Sequence, residues 1–363
     1  MTYLDYQATT PLAPEALAAM LPLLANNFAN PHSAHAQGRA AKAAVEVARD
    51  DVAGLLPVGG KVSFTSGATE ALNWAIKGTS GGIVTLATEH AAVLDTVAAE
   101  ARKGRDVTVL PVGPEGLVDL AAARAAIKPG IGLVAAMLVN NEIGVIQPVE
   151  ELARLAHAAG ALFLCDAVQG YGRVRMPEGC DLIAVSAHKI HGPKGIGALW
   201  IRDGVTLEPL MHGGGQEPAG RSGTLSPALC AGFGAAAKLA KQRFGVDHAH
   251  AEQLFRAALN RIAGDWILNG SRDDRYPGNL NLRHDGLDVA RLISELRDIA
   301  FSAGSACASG SGRPSHVLEA IGLSAAEARA SIRIGYGRYT SEDELIHAID
   351  RIVAAARLQS RAA

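Results

Sequence analysis

Apolar residues in the first two-thirds of the chain fall into short runs, each separated by stretches where they recur at helical spacing. Val62–Phe64, Ile83–Ala87, Val107–Pro111, Gly132–Val139, Ala161–Cys165, Leu182–Val185 and Ala198–Ile201 are runs of strand length with little polar alternation. Such runs fit strands buried on both faces. Between them, helical patterns cover Pro14–Ala25, Ala34–Leu56, a segment ending near Lys77, Ala92–Lys103, Leu120–Ile127 and Val149–Ala159. Pro14 stands at an early helical position, where its missing N–H is harmless. Tyr3–Pro14 reads as a loop, and Asn30-Pro31-His32-Ser33 as a turn. The alternation predicts an α/β domain built on a mostly parallel seven-stranded sheet flanked by helices.

The texture changes after Ile201. A glycine-rich loop, Met211–Thr224, leads into helices expected at Pro227–Gln242 and His248–Ala263. From about Asp247 the chain carries more charge and shorter apolar segments, such as Asn279–Arg283 and Ser331–Ile334. This predicts a smaller α+β domain over 247–363, a large domain over 16–246, and an N-terminal segment, 1–15, that joins the small domain. A helix is expected near Pro314–Ile321, and Ser341 is placed to cap a last helix to about Arg357.

Composition narrows the function classes. Lys and Arg total 34 against 36 Asp and Glu, a net charge of −2, so no basic excess points to nucleic acid. The longest apolar run, Leu133–Val139, is too short to cross a membrane, and the N-terminus has no secretory pattern. Cys165, Cys180, Cys230 and Cys307 are scattered, which disfavours a disulfide framework or a zinc site and favours a reducing cytoplasm. His32/His35 and His188/His191 suggest no third metal ligand.

Parallel strands bring their C-terminal ends to one edge, where ligands bind. The residues expected there are Ser66-Gly67-Ala68-Thr69, His90, Asn140-Asn141, Asp166, Gln169 and Ser186-Ala187-His188-Lys189. Ser66–Thr69 opens a helix and suits a phosphate, or is a plain helix cap. A carboxylate such as Asp166, at the mouth of an apolar strand, needs a cation: a protonated pyridine nitrogen or an arginine. His90 fits ring stacking or proton transfer, or a structural hydrogen bond. Lys189, past a buried strand, fits a carbonyl cofactor or an ordinary turn. Cys165 and Cys230 read as core residues, Cys180 reads either way, and Cys307 sits among Ser, Ala and Gly as a candidate reactive thiol that needs a nearby base or cation. Arg333 fits a fork for a substrate carboxylate or a structural ion pair.

Ten motifs in order resemble one family: LDYQATTP, NPHS, TSGATEA, TEH, VNNEIG, CDAVQ, SAHKIHGPKGIGALW, HGGGQE…RSGTL, SAGSACASG and SIRIGYGRYT. The chain resembles the cysteine desulfurases of the NifS/IscS type, class-V aminotransferase-like enzymes of fold type I that depend on pyridoxal 5'-phosphate. The resemblance implies conversion of L-cysteine to L-alanine, with the sulfur passing to an enzyme persulfide and then to an iron–sulfur scaffold or another acceptor. Lys189 would anchor the cofactor and Asp166 would pair its ring nitrogen, while His90 would stack on the ring and relay protons. Asn141 and Gln169 would reach the ring face and phenolic oxygen. Ala68, Thr69, Ser186 and His188 would hold the phosphate, with Thr224 arriving from the second subunit of a homodimer. Asn30 and Arg333 would grip the substrate carboxylate. Cys307 would take the sulfur and contact a nascent iron–sulfur cluster; no resident metal is implied. Lys194, the rival lysine, does not match the family position. Longer members carry a C-terminal tail implicated in docking the scaffold, and Ala363 follows the last helix closely, which leaves the acceptor open. A selenocysteine lyase or aminotransferase of the same fold is the alternative activity, and a catalytically silent sulfur carrier on that fold the other.

Overall fold

The structure, a computed structural model, describes residues 1–262, 264–304 and 315–362, with side chains described to 359. Cys307 lies outside the described residues. The central sheet has seven strands in the order Gly60–Thr65, Gly197–Arg202, Leu182–Ser186, Leu162–Asp166, Ile131–Met137, Gly82–Leu86 and Val107–Leu110. Gly197–Arg202 runs antiparallel to both neighbours, and every other pairing between adjacent strands is parallel.

Alternate side chains of these strands enter two different cores, as a pleated strand requires. Phe163, Cys165, Ile183 and Val185 pack on one face with Tyr171, Cys230 and Phe233. Leu164, Leu182, Ala184 and Leu199 pack on the other with Leu72, Trp74, Ile76 and Val97. Burial on both faces is why the strands read as unbroken apolar runs.

A second sheet is antiparallel, in the order Ser302–Ala303, Ser331–Gly335, Asn279–His284, Trp266–Leu268. Its core takes Leu254 and Ala258, Ile349 and Ile352 of the last helix, and Leu4 from the N-terminus. Thr2–Tyr3 is not a loop but a short strand, pairing in parallel with Ile299–Ala300. Two residues are too few to show a periodicity.

The two helices expected on either side of residue 245 are one helix, Pro227–Arg261. Gly245 and the polar run behind it resemble a break, and a helical glycine costs about 1 kcal/mol. Packing offsets this, because the first half of the helix is bound into the large-sheet core and the second half into the small one. Arg243 and Arg338 both engage Asp247, at 3.0 and 2.8 Å, across the join.

One buried ion pair ties the edge of the large sheet to the glycine-rich loop. Glu217, 4% exposed, accepts from Arg49 at 2.7 and 2.8 Å and from the Phe64 N–H at 2.6 Å. Removing one partner strands a charge in the interior. Arg49→Ala is therefore expected to destabilise the fold by about 3–5 kcal/mol, read as a lowered midpoint in urea unfolding.

Candidate active site

The C-terminal ends of the parallel strands and the N-terminal segment enclose a cavity of about 610 Å³. Ala68, Thr69, His90, Asn141, Asp166, Gln169, Ser186, His188, Lys189 and Arg333 all line it, as do Gln7 and Lys194. Asn30 and Thr224 do not. Both are exposed, and Asn30 uses its side-chain oxygen to accept from the His32 N–H at 2.9 Å.

Lys189 ends a single turn, Ala187–Lys189, that follows the buried strand Leu182–Ser186. The turn closes tightly: Ile190 and Gly192 both donate to the Ala187 carbonyl, at 3.0 and 2.9 Å. His191 then takes a left-handed φ of 69°, a conformation that persists only where its surroundings fix it. Here Thr10 Oγ1 accepts from the His191 N–H at 2.8 Å, and the Pro11 carbonyl lies 2.9 Å from His191 Nδ1. Lys189 Nζ donates to the carbonyls of Gln7 and Ala8.

Asp166 is the last residue of the strand Leu162–Asp166 and is 4% exposed. One carboxylate oxygen accepts from the Val168 N–H at 3.0 Å. Burial pushes its pKa up, against the attraction of His90 and Lys189. Among the described residues no ion pair includes Asp166, so the arginine partner considered from the sequence is absent there. A protonated ring nitrogen is a group that would supply such compensation.

His90 makes the structural hydrogen bond weighed for it and also faces the cavity. Its Nδ1 accepts from the Ala92 N–H at 3.0 Å and caps the helix Ala91–Arg102, while its ring lines the cavity. That bond leaves Nε2 to carry the proton of the neutral ring. Burial pushes its pKa down, with the Asp166 charge opposing.

At the phosphate end, the helix Ala68–Lys77 begins at Gly67, which offers no side-chain cap. Its first N–H groups and positive dipole end therefore remain for an anion. Glu70 reaches back to the Ser66 N–H at 2.7 Å, and Arg221 neutralises it at 2.8 Å. Gly197 is obligatory beside this helix start, because a Cβ there would lie 2.8 Å from Gly67 backbone atoms. His188 pairs with Thr9 Oγ1 at 3.1 Å, and burial pushes its pKa down to about 4.

Arg333 is 1% exposed, makes a structural ion pair and also lines the cavity. It donates to Asp5 at 2.8 Å and to the Asn141 carbonyl at 3.0 Å, and its Nε has no acceptor among the described residues. Gln169 donates to the Gln7 carbonyl at 2.9 Å and accepts from Arg173 at 2.7 Å.

Several participants were not picked out from sequence. Gln7, on the strap over Lys189, looked like a loop residue. Glu89 is fully buried, with one oxygen on the Met137 N–H at 2.8 Å and its pKa pushed well up by burial. Glu142 is 3% exposed and accepts from Ser315, whose neighbour His316 reaches the Glu89 carbonyl at 2.9 Å. Glu89 and Glu142 lie inside the motifs TEH and VNNEIG, next to His90 and Asn141.

The donor set fits one cofactor. An open helix start with hydroxyls, a lysine between, and an under-compensated buried carboxylate are what a phosphorylated pyridine aldehyde requires. Fold and site together define a pyridoxal-phosphate-dependent enzyme. The chain belongs to the class-V aminotransferases, whose family model matches residues 2–347. Within that family, the cysteine desulfurase IscS of Rickettsia bellii is 44% identical, covering 96% of this chain and 90% of that protein. Among solved structures, a NifS-like protein superposes with a TM-score of 0.91 at 31% identity, covering 98% of this chain and 99% of that one. A structure described as SspA in complex with cysteine gives 0.84 at 34% identity, covering 94% and 100%.

Asp166→Asn separates electrostatics from packing. The variant is expected to match or exceed the wild-type apoprotein in melting temperature, since it removes an under-compensated buried charge. Its cofactor-dependent turnover should fall about 10²–10³-fold, measured on cofactor-loaded protein.

Proposed function

We propose that the chain is a cysteine desulfurase: it converts L-cysteine to L-alanine and moves the sulfur onto Cys307 as a persulfide, from which an acceptor takes it. The observation that carries this reading is the 44% identity with a cysteine desulfurase over 96% of the chain, together with Lys189, Asp166 and the helix start at Ala68 lining one cavity.

Pyridoxal phosphate, when bound, supplies an electron sink for charge left at Cα after proton loss. The chain's own residues do the rest. Asp166 holds a positive charge at the ring nitrogen, and the helix start at Ala68 and Thr69 holds the phosphate with Ser186 and His188. Arg333 orients the substrate carboxylate. Lys189 Nζ takes the Cα proton and returns a proton to the product. The Cys307 thiolate attacks the substrate sulfur; an S–S bond forms, the C–S bond breaks, and its electron pair stays with carbon, which is protonated to a methyl group. Sulfur is oxidised and carbon reduced, so the exchange balances without an outside oxidant.

The acceptor in this reading is an iron–sulfur scaffold or another thiol-bearing protein. The enzyme works as a homodimer in the cytoplasm, with Thr224 reaching the phosphate of the second subunit's site and Asn30 joining Arg333 at the substrate carboxylate. In support, Leu17, Leu21, Leu24 and Phe28 repeat along one exposed helix face and its continuation, 44–79% exposed, an apolar stripe that association would cover. No described helix is long and apolar enough to cross a membrane. The test is incubation of the cofactor-loaded enzyme with L-cysteine: alanine and sulfide should appear in equal amounts when a reducing thiol is present. A keto acid in place of alanine would overturn the reading.

A further inference from the structure

Arg173 lies beyond the residues the reaction scheme uses, yet it touches three of the segments that build the site. It follows Gly172, whose φ of 70° closes the turn after Asp166. Its guanidinium donates to Gln169 Oε1 at 2.7 Å, to the Lys189 carbonyl, and more distantly to the Tyr6 carbonyl at 3.5 Å. The Tyr276 ring lies beneath it, 5.5 Å from the guanidinium carbon. Among the described residues no carboxylate pairs with it; its donors are directed to carbonyl and amide oxygens instead.

These contacts close a circuit. Arg173 holds the Lys189 carbonyl and the Gln169 oxygen. The Gln169 nitrogen holds the Gln7 carbonyl, and Lys189 Nζ donates to that same carbonyl. We propose that Arg173 is a positioning residue for the desulfurase reaction, fixing the backbone of the Lys189 turn and the orientation of the Gln169 amide while the Lys189 amine moves.

Two physical needs support the assignment, which rests on the activity proposed above. Lys189 must carry a proton from one atom to another, so its amine shifts while its backbone stays still. Thr10 and the Pro11 carbonyl fix the left-handed His191 that follows, while the Lys189 carbonyl itself accepts its bond from Arg173. Gln169, in turn, can present either its oxygen or its NH₂ group to the cavity. With the oxygen accepting from Arg173, the nitrogen is fixed towards Gln7, and its second N–H stays available as a donor. Loss of the fork frees the Lys189 carbonyl and the Gln169 amide, and displacements of about 1 Å cost on the order of 10²-fold in rate.

The test compares wild type, Arg173→Met and Arg173→Lys as cofactor-loaded enzymes. Three quantities are measured: kcat and KM for alanine formation from L-cysteine, the rate at which the visible cofactor band returns when pyridoxal 5'-phosphate is added to apoprotein, and the melting temperature. Arg173→Met should lose about 10²-fold in kcat with KM changed less than about threefold, since substrate contacts remain. Its band should return about tenfold more slowly, because the lysine is no longer presented in place. Arg173→Lys keeps a cation with three donors and should recover kcat to within about tenfold of wild type. Wild-type kcat per loaded site in Arg173→Met, even with a lowered melting temperature, would overturn the proposal and leave Arg173 a packing residue. Should wild type make no alanine from L-cysteine, the activity fails separately, and the band-recovery rates still decide the role of Arg173.

Discussion

Replacing Lys189 by alanine is expected to abolish both the covalent cofactor band and turnover. Lys189 Nζ is the amine that the tight turn Ala187–Lys189 presents to the cavity, and the reaction asks it to anchor the cofactor and then to move a proton. Removing a positioned acid–base group alone costs about 10²–10⁴-fold, and loss of the covalent anchor adds to it. The variant should fold. It loses the bonds from Nζ to the carbonyls of Gln7 and Ala8, each worth about 1 kcal/mol, and Thr10 and Thr9 still tie the N-terminal segment to His188 and His191. Lys194 also lines the cavity, so Lys194→Ala is the control and should keep the band. Absorbance of the purified proteins, before and after added pyridoxal 5'-phosphate, decides it. A wild-type band in Lys189→Ala together with its loss in Lys194→Ala would reassign the anchor.

Cys307→Ala should divide the reaction at a different place. Cys307 has no part in the proposed cofactor contacts, so cofactor band and cofactor affinity should match wild type. Sulfide and alanine production from L-cysteine should both fall by at least about 10²-fold, because the C–S bond has no nucleophile to accept its sulfur. The contrast with Lys189→Ala is diagnostic: one variant loses the cofactor band, the other keeps it, and both lose turnover. Sulfide release at the wild-type rate from Cys307→Ala would mean that sulfur leaves without passing through that thiol.

The parts of this architecture visible in the sequence are those written in local pattern. Leu182–Ser186 and Leu162–Asp166 are buried on both faces, so they appear as apolar runs, and the polar residue that ends each one stands out. That made Asp166 and Lys189 candidates before any contact was known. Pro227–Arg261 reads as two helices in the sequence, because the two cores that hold it as one helix are assembled from distant segments. Thr2–Tyr3 was missed for the same kind of reason: its partner, Ile299–Ala300, lies almost the whole chain away. Arg173 falls in none of the ten motifs, and Gln7 falls in one, LDYQATTP, that gives it no role. Their roles exist only as hydrogen bonds to carbonyl and amide groups, which leave no mark on residue spacing. His90 and Arg333 show another limit. Each was posed as structural or functional, and each is found in both settings, because a side chain can cap a helix or pair with Asp5 while facing the same cavity.

The central claim is that one active site made around Lys189 delivers sulfur to a second centre at Cys307. It is tested most directly by intact-mass measurement of the cofactor-loaded enzyme after a single turnover with L-cysteine and no reducing thiol. The account predicts one alanine released per site and one sulfur atom gained, located on the peptide containing Cys307 and absent in Cys307→Ala. Alanine formed with no sulfur on that peptide would contradict it.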